Sequence, residues 1–322
     1  MKGFDPRWKD LPDYILGITQ DIWENRQIDT LNHLYSEDIV VRSPGSVVVG
    51  NQGVIAATMA TLAEFPDRQL LGEDVIWSGD DHVGYLSSHR ILSKATHLHD
   101  GLYGEASGKT YTYRVIADCA AKDNVIHDEW LVRDQGSIVR QMGLEPKAFA
   151  VDLIEREGGP EHCVKPLTPE TDLSGSYDGR GNDHAFGQQY ASLLENIMAS
   201  AMSSIPEFYD RACHLELPGG VTAHGIDAAD QFWMGLRASF PTAEFKIDHV
   251  IGREDPSCPP RAAIRWSLYG KHEGWGLFGE PSQADVYVLG INHAEFGPQG
   301  LRREFVLLDE TAVWKQIALK TG

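Results

Sequence analysis

Apolar and polar positions alternate in two different periods along this chain. Tyr14, Ile15, Ile18, Ile22 and Trp23 recur near helical spacing and predict a helix over residues 14–28. Asp29-Thr30 followed by Leu31-Asn32-His33-Leu34-Tyr35 reads as a cap and a second, short helix. Ile39-Val40-Val41-Arg42-Ser43 and Val47-Val48-Val49 are strands divided by Pro44-Gly45. Residues 52–65 return to helical spacing, with Val54, Ile55, Met59 and Leu62 on one side and Pro66 as the stop. Strand patterns then follow over 70–77, 83–93, 111–120 and 126–133. Within them Tyr111, Tyr113 and Val115 alternate with Thr112, Arg114 and Ile116, the two-residue period of a sheet. Helices first and long strands afterwards predict an α+β fold, a curved antiparallel sheet wrapped over helices. Such a cone leaves a cavity at its wide end.

The same order then repeats. Phe65-Pro66 recurs as Phe240-Pro241, an offset of 175 residues. That offset also carries Gly50 to Gly225, Met59 to Met234, Arg90 to Arg265, His97 to His272, Gly104-Glu105 to Gly279-Glu280 and Glu129 to Glu304. Upstream it becomes 174, pairing Tyr35 with Tyr209 and Pro44-Gly45 with Pro218-Gly219. A unit this long is a domain duplication, not a solenoid repeat. In the second copy helices are predicted near 185–200 and 226–240, with strands near 213–217, 245–253, 262–269, 285–294 and 301–308. Gly, Pro and Ser between the copies mark a linker. The expected division is one domain over 1–150, a linker over 151–182 and a second domain over 183–322. Two domains also suit 322 residues, since a single core rarely grows past about 250–300.

Charge narrows the partners. The formal net charge of −19 argues against nucleic acid, which needs a clustered basic surface, and against an anionic membrane. No stretch approaches the ~20 apolar residues of a spanning helix, and the N-terminus lacks a signal peptide's apolar core. Cys119, Cys163, Cys213 and Cys258 form no Cys-x-x-Cys pair. They are expected to be reduced thiols in a cytoplasmic protein.

One stretch carries a recognisable pattern. It runs Thr96-His97-Leu98-His99-Asp100-Gly101-Leu102-Tyr103-Gly104-Glu105-Ala106-Ser107-Gly108-Lys109, continues through a strand to Asp118, and ends in Ile126-His127-Asp128-Glu129-Trp130-Leu131-Val132-Arg133-Asp134. It resembles the SnoaL-like polyketide cyclases of the nuclear-transport-factor-like superfamily, in which Thr-His leads into a glycine-aromatic loop, a Ser/Thr-Gly-Lys turn, and a later Glu-x-Trp segment. Asn124-Val125 stands where a Gly-Lys is usual. The second copy is looser, with Ser282-Gln283-Ala284 in place of the Ser-Gly-Lys turn. The resemblance implies a pocket-forming cone, and in the family's cyclases a ring-closing aldol step served by a pocket-facing Asp and His, without metal or organic cofactor. The superfold also hosts isomerases, dehydratases and pure binding domains.

Proton transfer needs a base within hydrogen-bond reach of the proton, with its pKa moved toward working pH by burial. His97 matches the family's histidine, or is a structural histidine at a strand end. Asp118 lies near the family's carboxylate, or is a solvated strand-end acid; its counterpart is His293. Glu129 is a second candidate base, or is paired with Arg90 or Arg114 on a neighbouring strand. Trp77, Arg90, His99, Tyr103, Tyr113 and Trp130, with Arg265, His272, His293 and Glu304 in the second copy, are candidate pocket-lining residues; ordinary sheet packing or a solvent face is the other reading. His97-Leu98-His99-Asp100 offers alternate-position metal ligands without a converging third, so no metal is expected. Two readings stay open. One is an enzyme, a cyclase, isomerase or other lyase acting on a small, partly apolar carbonyl compound by cofactor-independent acid–base catalysis. The other is a non-catalytic small-molecule-binding protein. In that second reading the second domain mimics a dimer partner; the expected partners are a small-molecule ligand and the internal pseudo-dimer, with further homo-oligomerisation left open.

Overall fold

A computed structural model describes residues 1–322. In the first domain α1 (Leu11–Thr19) starts at the Asp10 cap with Pro12 in its first turn, and continues as a π-helical turn over Gln20–Glu24. Then come α2 (Leu31–Leu34), β1 (Val40–Ser43), β2 (Ser46–Val49), α3 (Asn51–Glu64), β3 (Gln69–Asp80), β4 (Gly84–Thr96), β5 (Thr110–Lys122) and β6 (Val125–Arg133). Two helices not foreseen from the pattern follow, α4 (Gln135–Gln141) and α5 (Pro146–Arg156). The second domain repeats the series: α6 (Ala185–Met198), α7 (Ser204–Phe208), β7 (Tyr209–Leu217), β8 (Val221–His224), α8 (Ile226–Ser239), β9 (Glu244–Arg253), β10 (Arg261–Lys271), β11 (Asp285–Gly297), β12 (Gly300–Leu308) and α9 (Glu310–Thr321). No helix is long and apolar enough to cross a membrane.

Each domain has one six-stranded sheet. The first is ordered β2-β1-β6-β5-β4-β3 and the second β8-β7-β12-β11-β10-β9, the same order. Neighbours are antiparallel except where β1 meets β6 and β7 meets β12. Registers repeat as well: Ser88 pairs with Asp118 and Ala263 with His293, while Val41 pairs with Glu129 and Leu215 with Glu304.

Alternation divides each sheet into two working faces. In the first domain His89 and Ile91 on β4, Tyr113, Val115, Ala117 and Cys119 on β5, and Glu129, Leu131 and Arg133 on β6 face inward, toward the helices. The opposite face meets the other sheet. There Ile116 and Val132 pack with Leu289, Ile291 and Leu307, and Ile76, Leu86 and Ala120 pack with Ile251 and Ala263. Met59, expected on the buried side of α3, is 55% exposed; Val54, Thr58 and Leu62 form the buried line instead.

The short α4 and the C-terminal α9 start at equivalent caps. Asp134 accepts from the Ser137 N–H, and Asp309 from the Thr311 and Ala312 N–H groups. Each cap also reaches the other domain. Asp134 accepts from the Gly219 and Gly220 amides at 2.9 Å each, and Asp309 from Gln135 at 2.8 Å. The segment between α5 and α6 is packed down. Leu167 is buried, Asp172 pairs with Arg42 at 2.7 Å, and the Tyr177 hydroxyl lies 2.8 Å from His249 Nε2.

Candidate functional site

The first domain encloses a cavity of about 210 Å³ between its inner sheet face and α1 and α3. Apolar side chains form most of the wall, among them Ile15, Ile18, Trp23, Val54, Ile91 and Leu131. The hydroxyl-bearing Thr19, Ser43, Ser46, Thr58 and Thr61 are interspersed among them. Glu129 and Tyr35 stand together beside Cys119. His89 faces in from β4. Arg68, Arg133, Tyr113, Gln135 and Asp309 complete the polar wall.

Glu129 is buried, and burial raises its carboxyl to about 7; hydrogen bonding from Tyr35 and the charge of Arg133 pull the other way. Burial also pushes Tyr35 well above the usual phenol range, so it stays protonated. His89 is buried, with its pKa pushed down to about 4, and its Nε2 has no hydrogen-bond partner in the protein. It is therefore a neutral imidazole at neutral pH. A buried polar atom left unpaired at a cavity wall is a place for a ligand's polar group.

The second domain has the same frame and no equivalent space. The 175-residue offset replaces Ala57 by Phe232, Thr58 by Trp233, Leu70 by Phe245 and Ile91 by Trp266. Gly290, at the position of Val115, makes room for the last: a Cβ there would sit 2.1 Å from the Trp266 ring. The equivalent of Glu129, Glu304, accepts hydrogen bonds from the hydroxyls of Tyr190 and Tyr209 at 2.7 Å each. Trp233 donates to Tyr209, and Asn292 joins Tyr190 to Trp266. Burial raises Glu304 to about 7 as well. The cavity, not the pKa, distinguishes the two glutamates.

Of the three residues considered as catalytic from sequence, Glu129 alone lines the cavity. His97 is fully buried at the end of β4, away from it. Its Nδ1 meets Ser107 at 3.3 Å and its Nε2 lies 3.1 Å from Glu64, whose carboxylate also accepts from the Leu102 and Tyr103 amides. It anchors the loop over the end of α3. His272 is bonded in the same way to Ser282 at 3.0 Å. Asp118 is on the outer face of β5, sealed in the domain interface and bonded to Arg265 at 2.7 Å.

The proposed lining set divides similarly. Tyr113 lines the cavity. Tyr103 stands behind it, donating to Gln135 at 2.8 Å. Arg90, Trp130, Arg265 and His293 belong to the interface, where the Arg265 guanidinium stacks 3.7 Å from the Trp130 ring. Even-numbered positions of β4, β5 and β6 beyond its bulge point that way, as do Arg265 on β10 and His293 on β11 from the other sheet, so these corrections share one cause, the facing of the strand. His99 is exposed, Trp77 lies under Arg253 at a surface cleft, and Glu304 is enclosed in the filled core. Sequence reasoning missed His89, Arg68, Arg133 and Tyr35. A signal was present: His89, Arg68 and Arg133 become Ile264, Ala243 and Leu308 in the second copy.

Residues 14–142 match the family model for SnoaL-like polyketide cyclase. The match spans most of the first domain, which is similar to the SnoaL-like polyketide cyclases. No curated protein matches the sequence. Among solved structures the chain is similar to IdmH from Streptomyces antibioticus, with 20% identity, coverage of 41% of this chain and 98% of that one, and a TM-score of 0.36. It is similar to a SnoaL-like polyketide cyclase from Agrobacterium tumefaciens at 18% identity, covering 40% and 94%, with a TM-score of 0.32. A third is TsrD from Streptomyces laurentii, at 18% identity, covering 42% and 98%, with a TM-score of 0.35.

Proposed function

We propose that the SnoaL-like first domain is an acid–base enzyme for a small, partly apolar carbonyl compound, and that the second domain is its fixed partner. The observation that carries this reading is the contrast between the two equivalent glutamates. Glu129 opens onto a cavity, whereas Glu304 has both carboxyl oxygens occupied by tyrosine hydroxyls in a filled core. A carboxyl near pH 7 is half ionised at neutral pH, where a base of that strength is most effective.

In the proposed step Glu129 takes a proton from carbon next to the substrate carbonyl. Charge then moves to the carbonyl oxygen. His89, kept neutral, supplies an N–H to that developing oxyanion, and the apolar wall strengthens the interaction by excluding water. Tyr35 steadies the Glu129 carboxylate. Return of the proton at a new position completes an isomerisation; attack of the enolate carbon on a second carbonyl, with Glu129 returning its proton to the alkoxide formed, completes a cyclisation. The wall residues fit a partly apolar molecule, which supports the class of substrate.

The partner reading rests on the paired sheet faces and on Asp309, which reaches the first domain's cavity wall from the second domain. These contacts support reading the chain as a dimer fused into one polypeptide, with domains over 1–150 and 183–322. A cytoplasmic location is consistent with four free cysteines.

The test is exchange of the α-protons of an aryl ketone in D2O, followed by proton NMR. Wild-type protein accelerates exchange and Glu129→Gln does not. Saturable ligand binding with no exchange above Glu129→Gln would show the site to be a binding pocket only.

A further inference from the structure

Two arginines in the cavity wall have no carboxylate partner. Arg42, Arg90, Arg261 and Arg265 are buried outright, and each is ion-paired to an aspartate or glutamate. Arg68 and Arg133, both half-buried, form no ion pair, and the Arg68 Nε is buried without any hydrogen-bond partner. The chain has 47 acidic and 28 basic residues, so unpaired guanidiniums are not a shortage of carboxylates. Burial lowers the Arg68 pKa, and the nearby charge of Arg133 adds to this. Asp309 is the carboxylate at this end, and its oxygens are taken by Thr311, Ala312 and Gln135. Where the cavity is filled, both arginines are gone, replaced by Ala243 and Leu308.

Arg133 and Glu129 share one face of β6, four residues apart, which separates them by about 13 Å along the strand. Arg68 immediately precedes β3, and its neighbour Leu70 is in register with Ser93 on the adjacent strand. The cavity thus has a cationic end and a proton-transfer end. Guanidinium groups suit planar carboxylates, which they can grip with two parallel N–H bonds.

We infer that the ligand of this cavity carries a carboxylate, held by Arg68 and Arg133, with its carbonyl directed toward Glu129 and His89. This rests on the acid–base reading of the same cavity and names the substrate class as a keto acid. The anion fixes which carbon faces Glu129. The Tyr113 hydroxyl, which makes no hydrogen bond within the protein, is a further donor at the same end.

The probe pair is 4-oxo-4-phenylbutanoate and its primary amide, equal in shape and different in charge. Affinity is read by calorimetry on the full chain. The acid is expected to bind roughly ten- to a hundredfold more tightly than the amide, the range for hydrogen bonds to a charged group. Arg68→Gln and Arg133→Gln each shrink that preference to a few-fold, weakening the acid far more than the amide. Arg133→Lys keeps the charge and restores part of the preference. Retained circular dichroism and amide binding show that the variants are folded. Equal binding of acid and amide, no binding of either, or a preference that survives Arg68→Gln/Arg133→Gln would overturn the inference. Glu129→Gln separates the two readings: it removes exchange and keeps the preference for the acid. Acid preference without exchange in wild type defeats the catalytic reading alone, and exchange without acid preference defeats this one alone.

Discussion

Asp118 on β5 accepts a hydrogen bond from Arg265 on β10 at 2.7 Å, and the equivalent pair on the other side of the interface is His293 with Arg90. The first is an ion pair and the second is not. Burial and the charge of Arg90 keep the His293 imidazole well below its usual pKa, hence neutral. Arg90 instead pairs with Glu73 at 3.1 Å and Glu295 at 3.3 Å. His293 Nε2 meets Ser88 at 2.8 Å. The duplication kept the geometry of the contact and changed its chemistry on one side.

Asp118→Ala leaves Arg265 buried and uncompensated. A loss of about 3–5 kcal/mol is expected, the usual range for breaking one side of a buried pair. The midpoint of urea unfolding reads it. Because Asp118 is outside the cavity, affinity for cavity ligands stays within about twofold under conditions where the variant is folded.

Glu304→Gln separates hydrogen bonding from ionisation. At pH 5 the carboxyl and the amide are both neutral, but the amide NH2 cannot accept from the tyrosine hydroxyl that the second carboxyl oxygen now serves, so stability falls by about 1–3 kcal/mol. Wild type carries a compensating penalty at higher pH. Glu304 has a folded pKa of about 7 against 4.5 unfolded, so its contribution is present below the unfolded value and lost as pH rises through 7. The deficit of the variant therefore narrows between pH 5 and pH 8, by up to ~3 kcal/mol at 1.36 kcal/mol per unit. Unfolding curves at the two pH values check this; a constant deficit contradicts it.

His89 and His293 act with the opposite sign. Their folded pKa values lie below the unfolded 6.5, so the unfolded chain binds more protons on acidification. Stability from these two residues is present above 6.5 and declines below it. His89→Gln removes part of that decline between pH 6.5 and 4.5. An unchanged acid limb in thermal unfolding would contradict the buried, neutral state of His89.

Thr58→Trp places in the first domain the side chain found at Trp233 in the second. The ring occupies the cavity, and ligand affinity falls by at least about a hundredfold. Overpacking lowers stability by about 1–3 kcal/mol. The converse, Trp233→Thr, removes a fully buried ring and costs about 3–5 kcal/mol. Calorimetric titration and urea unfolding read the two effects separately.

The frame of both domains was legible because period-two alternation and the 175-residue offset are properties of the sequence alone. Facing was not. Asp118 and Glu129 both sit in strands, and only the register of Asp118 opposite Trp130 puts them on opposite sides of the sheet. His97 matched a motif, but the motif residue is spent on Ser107 and the Glu64-held loop. The decisive polar residues, His89 and Arg133, interrupt apolar strand faces and look like exposed positions until curvature brings them inside. Comparing the copies identifies them from sequence, since each turns apolar where the core is filled.

The pH dependence of α-proton exchange in wild type, Glu129→Gln and Glu304→Gln tests the central claim most directly. Exchange in wild type rises with pH through about 7 as Glu129 ionises. That limb persists in Glu304→Gln and disappears, together with the activity, in Glu129→Gln. A limb that survives Glu129→Gln, or one that depends on Glu304, would contradict the assignment of the site to the first domain's cavity.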